Sequence, residues 1–408
     1  MTHPLHIAVI GAGPVGLALA LLMARQLPAT TQVTLFDSRP AERDVSADPR
    51  TLALALGSVQ LLERLGTWQT SNAQAIREVW VSQESPALGL PAWLGAPEVR
   101  LRASEMGVPM LGAVLPYGAL LAPLLRVWQV AVAAAPVRLH SRFGTPVTAL
   151  KDVQGGVEVD AGVVERFDLA IVAEGGVFSE HKALHAGLAH DYRQTAWVGS
   201  VTLDGGTPGL AIERFTRHGP AALLPLPQSA GDAAGVQRAS LVWCVASDDD
   251  PVRDLDDAQR LAVLNTLFDP AVGRIASVSA LKHFPLGLAA ERTLVRGRQV
   301  RIGNAAQTLH PVAGQGLNLG LRDAFALATA LRDAVTGPSQ NIDTALRRVA
   351  WQRAPDRWAL IAATDFLARS FTWQAPGVAS LRGAGMALLN RLPPLKIALA
   401  RQMMFGRR

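Results

Sequence analysis

Apolar residues near the amino terminus form a short run, Ile7 to Ile10, which leads into a glycine-rich turn and an Ala/Leu-rich segment reaching about Leu27. A short apolar run that breaks at glycine and continues into a longer apolar segment predicts a buried strand followed by a helix. A second run, Val33 to Phe36, ends on Asp37. The chain is therefore predicted to begin with a strand, a helix and a second strand.

The later pattern predicts domains that interleave along the chain. Helices are expected at about 51–65 and 118–134, and strands at about 137–140, 147–150, 157–159 and 167–173. Strands at about 195–203, 221–226 and 239–246 are separated by turns rich in Gly, Pro and Asp, which is typical of an antiparallel sheet. A strand at 300–302 and a helix from about Leu317 return to the first pattern, and the chain is expected to finish mostly as helix.

Composition limits the class of protein. The 408 residues are 49% hydrophobic and 18% charged, which predicts two or three structural units with a large core and excludes a disordered chain. The net charge of +6 comes mostly from Arg, and no basic run is interleaved with aromatic residues, so no nucleic-acid partner is expected. A single cysteine, Cys244, excludes an internal disulfide, and its apolar neighbours predict a buried thiol.

The uncharged stretch 7–24 resembles a signal peptide only superficially. No basic region precedes it, and a glycine turn containing Pro14 interrupts it. We therefore expect no spanning helix, and a cytoplasmic protein.

The turn after the first strand has the spacing of a dinucleotide fingerprint, Gly11-x-Gly13-x-x-Gly16. Gly11 permits the tight turn, Gly13 lets a pyrophosphate approach the backbone, and Gly16 lets helix and strand pack closely. Asp37 lies where the motif needs an acceptor for the ribose hydroxyls, which disfavours a 2′-phosphate. The unit suits the ADP half of FAD or NAD rather than NADP; the alternative for Asp37 is an ordinary turn residue.

A second glycine-rich stretch, residues 301–323, predicts another dinucleotide contact far along the chain. A loop with Gly314, Gln315 and Gly316 precedes an apolar helix. A helix start offers backbone N–H groups and a positive dipole end to an anion or an electron-rich ring. Beside the first motif, this stretch favours FAD over NAD, because a simple dehydrogenase needs no late loop against a flavin ring. The alternative is a loop that only closes a helix.

These patterns predict an α/β fold with a discontinuous Rossmann-like FAD-binding domain, formed by residues 1–75, 110–180 and 290–340. Residues 76–109 and 181–289 are expected to form an antiparallel-sheet substrate domain. Residues 341–408 are expected to form a C-terminal helical region.

Several motifs together resemble the class A flavoprotein aromatic monooxygenases, in their ubiquinone-biosynthesis hydroxylase branch, and most of all the 2-polyprenyl-6-methoxyphenol hydroxylases. The motifs are the run Gly11 to Gly16, Asp48-Pro-Arg-Thr-Leu-Ala-Leu54, Glu213-Arg-Phe-Thr216, His218-Gly-Pro220, Leu223-Leu-Pro225, Ser240-Leu-Val-Trp-Cys244 and the run Gly303 to Gly320. The resemblance covers nearly the whole chain and is weakest over the final 60 residues. It implies a p-hydroxybenzoate hydroxylase-like fold.

The resemblance also implies a reaction, the hydroxylation of the aromatic ring of a polyprenylated phenol in ubiquinone biosynthesis. FAD is reduced by NAD(P)H and reacts with O2 to a C4a-hydroperoxide, which delivers one oxygen atom to the ring. The protein contributes positioning, polarity and exclusion of water. Two alternatives remain: an FAD-dependent reductase or dehydrogenase of an apolar substrate, and a non-catalytic flavin-binding member of a quinone-biosynthesis complex.

The residues expected to bind the cofactor are Gly11, Gly13, Pro14, Gly16, Asp37, Arg50, Gly303, Asn304, Gly314, Gln315, Gly316, Leu317 and Asn318. The catalytic candidates are His310, as a base or hydrogen-bonding partner of the phenol, and Pro311, in the loop against the flavin. The alternative for His310 is a structural hydrogen bond, and for Arg50 a solvated helix position. Glu213 and Arg214 are interpreted as a structural charge pair on a sheet edge, with substrate contact as the alternative.

Three segments depart from the family pattern. Asn304 replaces an acid that many relatives use to hold the ribityl chain, although an amide can also hydrogen-bond there. Glu174 replaces Asp and Ser179 is displaced by one position, which puts the handling of NAD(P)H by this segment in question. Ala119 and Leu120 replace a polar Gln-Arg pair, which predicts weaker binding of FAD.

The C-terminal residues 385–408 combine basic side chains with Leu, Ile, Met and Phe and contain no acid. This composition is expected of a segment that lies on an anionic membrane, here the inner face of the cytoplasmic membrane, or of a packed helix with a basic tail. Membrane contact would give the enzyme access to an insoluble polyprenyl substrate.

Overall fold

The structure, a computed structural model, describes residues 4–46, 48, 50–84, 97–175, 187–228, 235–337, 341–370 and 377–407. The elements of the first part of the chain are β1 (His6–Ile10), α1 (Pro14–Gln26), β2 (Gln32–Asp37), β3 (Thr51–Ala55), α2 (Leu56–Arg64), β4 (Gln74–Ile76), β5 (Glu78–Gln83), β6 (Glu98–Arg102), α3 (Ala103–Met106), β7 (Gly112–Pro116), α4 (Tyr117–Ala134), β8 (Leu139–Phe143), β9 (Ala149–Val153), β10 (Gly156–Asp160), β11 (Val164–Phe167) and β12 (Leu169–Val172).

The second part contains β13 (Leu188–Asp204), β14 (Leu210–Thr216), β15 (Gly219–Leu226), β16 (Val236–Ala246), α5 (Asp257–Leu267), β17 (Arg274–Val278), β18 (Lys282–Ala290), β19 (Val295–Arg296), β20 (Gln299–Arg301), β21 (Gln307–Thr308), α6 (Gly316–Thr336), α7 (Ile342–Ser370), α8 (Val378–Arg391) and α9 (Pro393–Phe405).

A six-stranded sheet in the order β19-β20-β12-β1-β2-β8 forms the centre of the nucleotide-binding part. Its strands from β20 to β8 are parallel. Strand β1 is almost wholly apolar because helices and a small sheet cover both of its faces, as is usual for parallel strands. Three widely separated segments of the chain build this sheet, so the predicted α/β fold with interleaved parts is confirmed; the domain boundaries remain a prediction.

A nine-stranded sheet carries the order β21-β18-β13-β16-β15-β14-β5-β6, with β17 paired to β13. Its pairs are antiparallel except for β14 and β5. Strand β14 therefore lies inside the sheet, between β15 and β5, and the expected edge position of Glu213 and Arg214 is wrong. The missing information is the pairing of β14 with β5, more than a hundred residues earlier in the chain.

The first part of the helix predicted at 51–65 is instead a strand of a small sheet with the order β3-β7-β4. Thr51 to Ala55 form a strand that pairs antiparallel with Gly112 to Pro116, and the helix begins only at Leu56. Local apolar periodicity cannot reveal a partner so far along the chain. The predicted strand at 167–173 is also divided, because the chain passes at Asp168 from β11, in a three-stranded sheet, to β12, in the six-stranded sheet. At this point the Asp168 carboxylate accepts a hydrogen bond from the His6 N–H, 2.8 Å.

The carboxyl-terminal part is helical, as expected. Helices α7, α8 and α9 pack along one side of the nine-stranded sheet and the small sheet. By length and mean hydropathy, 1.4, the helix α4 qualifies as a candidate membrane span. In the fold it packs against α1, and its Leu124 and Trp128 are fully buried in the nucleotide-binding core.

Candidate flavin and substrate site

The three glycines of the fingerprint differ in the space around them. Gly11 has φ +104°, and a Cβ placed on it would lie 2.7 Å from the backbone of Glu174. A Cβ on Gly16 would overlap the carbonyl oxygen of Gly11. A Cβ on Gly13, at the N-cap of α1, would meet no protein atom within 4 Å. The open space beside Gly13 and the helix start is therefore a cradle of the kind that a pyrophosphate fits.

Asp37 lies at the end of β2, beside this cradle, and is 6% exposed. Its carboxylate accepts hydrogen bonds from the Ala12 N–H, 2.6 Å, and from the backbone and side chain of Arg39 at 2.8 Å. Burial alone would raise the pKa of Asp37, but the hydrogen bonds from Arg39 and Ala12 outweigh it and lower the pKa below its usual value. Asp37 is therefore an anion at neutral pH, as a ribose acceptor must be.

The late motif is in direct contact with the first. Gly303, with φ +59°, packs on Val15, and a Cβ on Gly320 would lie 2.7 Å from the Gly303 Cα and 2.9 Å from Val15. The helices α1 and α6 therefore approach each other closely, next to the cradle. Gly316, the first residue of α6, has open space around a built Cβ. The first N–H groups of α6, from Gly316 to Asn318, are available for flavin carbonyls.

The side chain of Asn318 is engaged by the protein itself. Its Oδ1 accepts hydrogen bonds from the Ala55 N–H, 2.7 Å, and the Ser58 hydroxyl, 2.8 Å. Its Nδ2 donates to the carbonyls of Ala53, 3.1 Å, and Gly314, 2.9 Å. The amide thus ties the loop before α6 to β3 and α2, which leaves its backbone N–H for the predicted contact with the cofactor.

His310 is buried away from the open site. Its Nδ1 accepts a hydrogen bond from the Val312 N–H, 3.2 Å, and its Nε2 lies 2.9 Å from Gln194 Oε1, so the neutral ring donates from Nε2. Tyr192 packs edge-on against the ring. Burial lowers the pKa of His310 to about 4. Of the two roles left open by the sequence, this geometry favours the structural one, and it is Pro311 that reaches the adjoining cavity.

The middle motif touches the late one. A Cβ on Gly175 would overlap the Cβ of Asn304, so the backbone of this segment lies against the late loop. Glu174 is exposed at the same place, with its Oε1 3.4 Å from the Ser38 hydroxyl. Ser179, on which the expectation about NAD(P)H partly rests, lies outside the described residues.

Arg50, a predicted cofactor-binding residue, is engaged by neighbouring side chains. Its guanidinium forms a two-pronged ion pair with Asp48, 3.0 and 2.8 Å, and lies over the ring of Tyr117 at 4.2 Å. Its side chain is 60% exposed, so the outer edge of the guanidinium faces solvent. Arg50 precedes β3 and does not belong to a helix, which corrects the alternative of a solvated helix position.

A cavity of about 910 Å³ begins at the loop Pro311 to Gln315. Its walls are formed by β3, by the strands β5, β6, β14, β15 and β16 of the nine-stranded sheet, and by the helices α7 to α9. Most of the lining side chains are apolar, including Val81, Leu101 and Phe215. The volume lies at the upper end of the range for small-molecule sites, and the shape joins the flavin loop to the C-terminal helices.

The role of α7 in this cavity was not anticipated from the sequence. The lining residues of α7 are Asp356, Ala359, Leu360, Ala363, Thr364, Phe366, Leu367 and Ser370. Most of them recur at spacings of three and four, which places them on one helix face, but nothing local distinguishes a cavity face from a core face. Phe215 of β14 and Val312 of the flavin loop form a buried contact, and Leu367 of α7 packs against it.

Comparisons with known proteins show which family this chain resembles. Residues 231–361 match the family model described as FAD binding domain. The chain is 30% identical to the ubiquinone hydroxylase UbiL of Rhodospirillum rubrum, over 98% of this chain and 89% of that protein. It is 29% identical to the 3-demethoxyubiquinol 3-hydroxylase of Escherichia coli, over 97% of each.

Among solved structures, Klebsiella pneumoniae HpxO complexed with FAD and uric acid superposes with a TM-score of 0.71. It is 17% identical and covers 98% of this chain and 97% of its own, which shows a shared fold. The sequence resemblance is thus confirmed by full-length relatives and by the fold. The chain belongs to the ubiquinone-biosynthesis family of FAD-dependent hydroxylases, within the class A flavoprotein aromatic monooxygenases.

Proposed function

We propose that this protein hydroxylates the aromatic ring of a polyprenylated phenol in ubiquinone biosynthesis, with NAD(P)H as electron donor and O2 as oxygen source. The observation that carries the proposal is the apolar cavity of about 910 Å³ that starts at the loop Pro311 to Gln315 and extends to α8 and α9. A phenol ring alone needs far less space. An aromatic head at the loop and an isoprenoid tail toward the helices would fill such a shape.

FAD, when bound, supplies the activation of O2 and the transfer of one oxygen atom to the ring. The residues of this chain supply the site around it. Gly13 and the start of α1 would hold the pyrophosphate, Asp37 would accept hydrogen bonds from the ribose hydroxyls, and Gly316 to Asn318 would donate backbone N–H groups to the flavin ring. The apolar walls exclude water, which would otherwise compete for the activated oxygen.

Complementation tests this proposal. The gene is expressed in bacterial strains that each lack one ring hydroxylase of quinone synthesis, and ubiquinone is measured by mass spectrometry. Restored ubiquinone in one strain is expected, and the strain identifies the ring carbon. Failure in every strain, with the protein present and loaded with FAD, would contradict the proposal and favour the reductase or the non-catalytic alternative.

We further propose that α8 and α9 contact the anionic inner face of the cytoplasmic membrane. Five leucines of α8, of α9 and of the connection between them are 39% to 75% exposed: Leu381, Leu388, Leu392, Leu395 and Leu399. Leu381 and Leu399 also line the cavity, so the cavity has an opening to the surface beside these two residues. A bilayer surface at this opening would let a tail enter the cavity without crossing water.

Charge supports the choice of an anionic bilayer as partner. The helices α8 and α9 contain no acidic residue, and Arg391 and Arg401 of the same two helices are exposed. Lys396 is excluded from this surface because it is buried and pairs with Glu105 at 2.8 Å. Exposed Arg next to exposed Leu is the composition expected of a helix at a membrane interface.

Vesicle sedimentation tests the membrane contact. The full-length protein is expected to sediment with phosphatidylglycerol vesicles and much less with phosphatidylcholine vesicles. Leu388→Gln with Leu395→Gln should abolish sedimentation, whereas Val137→Gln with Val163→Gln, at positions 81% and 68% exposed elsewhere, should not. Equal behaviour of the two double variants would contradict the proposal, as would sedimentation of the protein only in the presence of a protein partner.

A further inference from the structure

The flavin loop, Pro311 to Gln315, is held in place near both of its ends. At the α6 end, Asn318 Nδ2 donates a hydrogen bond to the Gly314 carbonyl, 2.9 Å. At the other end, His310 Nδ1 accepts a hydrogen bond from the Val312 N–H, 3.2 Å, where a short 3₁₀ turn begins. The second contact depends on how the ring of His310 is fixed.

Gln194 of β13 fixes this ring from another part of the chain. Its side chain is 3% exposed, and its Oε1 lies 2.9 Å from His310 Nε2. The Val312 N–H can only donate, so Nδ1 must accept, and the proton of the neutral ring is on Nε2. The partner of Nε2 must then be an acceptor, which is the amide oxygen of Gln194.

The strand β13 also binds α7 at the same place. Gln194 Nε2 donates to the Ala368 carbonyl of α7, 3.4 Å. Tyr192 packs edge-on against the ring of His310, and its hydroxyl donates to Asp365 Oδ1 of α7, 3.1 Å. Asp365 and Ala368 are three residues apart and therefore neighbours on one face of the helix. Another face of this part of α7 lines the cavity, so β13 sets the position of His310 relative to a cavity wall.

An irregularity in β13 accompanies these contacts. The register against β18 shifts between Asp191 and Gln194, and Arg193 between them has φ +51°. The Arg193 N–H donates to Asp191 Oδ1, 2.9 Å, and its carbonyl accepts from the Ser247 N–H, 2.8 Å. A left-handed conformation is unfavourable for a residue other than glycine and persists where surrounding contacts hold it. Regular strand geometry is therefore broken where β13 reaches His310.

Stability alone does not require a polar pair at this position. Two apolar side chains of similar shape in place of Gln194 and His310 would need no hydrogen bonds and would cost little stability. Such a pair could not supply an acceptor for the Val312 N–H. The polar pair therefore differs from an apolar one in what it does for the flavin loop.

We propose, resting on the proposed function, that Gln194 is a positioning residue for the flavin ring. By fixing His310, it holds the start of the loop Pro311 to Gln315 where the loop backbone meets the ring. Gln194 acts through hydrogen-bond geometry, and the proton of His310 stays on Nε2. Loss of the amide should therefore change the binding and the surroundings of the flavin, although the residues of the loop are unchanged.

Two measurements on the full chain test the inference: the Kd for FAD, by ultrafiltration, and the visible absorption spectrum of bound FAD at saturation. Gln194→Met has a similar shape but offers no acceptor to His310. The Kd should rise about tenfold, as expected for one lost hydrogen bond, and the spectrum should shift toward that of free FAD. The matched control is Thr195→Val, which removes the hydrogen bond of the next residue to Ser247, 2.8 Å, and should leave both measurements unchanged.

A double variant separates positioning from stability. Gln194→Met leaves the His310 N–H buried without an acceptor, which also destabilises the fold. In Gln194→Met with His310→Phe both partners are apolar, so stability in urea should largely return. The Val312 N–H still lacks its acceptor, so the weak binding of FAD and the shifted spectrum should remain.

Two results would overturn the inference. One is a wild-type Kd and spectrum in the folded double variant, and the other is binding of FAD that recovers together with stability, because Gln194 would then support only the fold. Neither measurement depends on hydroxylation, so either result leaves complementation by the wild-type protein intact. Failed complementation by a wild type that binds FAD would count against the proposed function alone.

Discussion

Gly320 of α6 and Gly303 of the late loop lie so close that a Cβ on Gly320 would be 2.7 Å from the Gly303 Cα. Val15 of α1 completes the contact, 2.9 Å from the same Cβ position. Two glycine motifs almost three hundred residues apart are thereby held together. The flavin site depends on this contact because it sets the relative position of the starts of α1 and α6.

Gly320→Ala should lower the free energy of unfolding by about 2 kcal/mol, as is typical of overpacking, although alanine is the better helix former. Urea unfolding measures the effect. Gly385→Ala is the matched control, since a Cβ at this position in α8 meets no atom within 4 Å. The control should be neutral or stabilising by up to about 1 kcal/mol. Equal stability of the Gly320→Ala variant and the wild type would mean that the helices are not in close contact.

His310 predicts a dependence of stability on pH. Its pKa is about 4 in the folded protein and about 6.5 in an unfolded chain, so the unfolded state binds the extra proton first. The stabilisation by the neutral ring is complete above pH 6.5 and falls as the pH drops toward 4, by about 3 kcal/mol in total. Between pH 7 and pH 4, the free energy of unfolding should therefore fall less steeply for His310→Gln than for the wild type.

His190→Gln controls for the loss of a histidine, because that side chain is exposed. If His310→Gln and the wild type lose stability in parallel over this pH range, the ring is not kept neutral by burial. His310 would then again be a candidate for proton transfer with the substrate.

The Asp37 carboxylate, in its charged form, is predicted to accept hydrogen bonds from the ribose hydroxyls of FAD. Asp37→Asn keeps the shape but replaces a charge-assisted hydrogen bond with a neutral one, which should raise the Kd for FAD about tenfold. Ultrafiltration with fluorescence of free FAD measures the Kd. Asp44→Asn, at an exposed acid that contacts Ser46, is the control. An unchanged Kd together with lower stability would show that Asp37 serves only to hold Arg39 and the Ala12 turn.

The length of the substrate tail should control affinity. Each buried CH2 contributes about 0.8 kcal/mol, so each added isoprene unit should tighten binding at least tenfold until the cavity is filled. A series of prenylated phenols with one to four units, measured by calorimetry, shows the slope and its end point. Phenols carrying ethylene glycol chains of equal length are the controls. Affinity that does not depend on the isoprenoid length would mean that the cavity does not hold the tail.

Local patterns predicted the elements whose signal is local. The strand β1, the glycine turn and the helix α1 follow from a run of apolar residues and three glycines, and β13 and β16 follow from alternation between turn-rich segments. The prediction of a helix over Thr51 to Ala55 was wrong, and so was the prediction of an edge position for β14. Both features depend on a partner strand that is distant in sequence. Pairing of that kind is set by the whole fold and leaves no local periodicity.

The candidate site shows the same division. The motifs predict the cofactor contacts around Gly13 and Gly316, because backbone geometry demands glycine at the turns and close contacts of such motifs, and these contacts remain a prediction. They could not assign His310, whose role depends on Gln194 and Tyr192 from another sheet. The cavity itself arises where β5, β14 and α7 meet, and only the three-dimensional arrangement brings Phe215 into contact with Val312 of the loop.

Incorporation of ¹⁸O from ¹⁸O2 tests the hydroxylase function most directly. The FAD-loaded protein is given NAD(P)H, a prenylated phenol and ¹⁸O2, and the product is analysed by mass spectrometry. A hydroxylated product with one ¹⁸O atom on the ring is predicted. Oxidation of NAD(P)H with no ¹⁸O in the phenol would contradict the hydroxylase function.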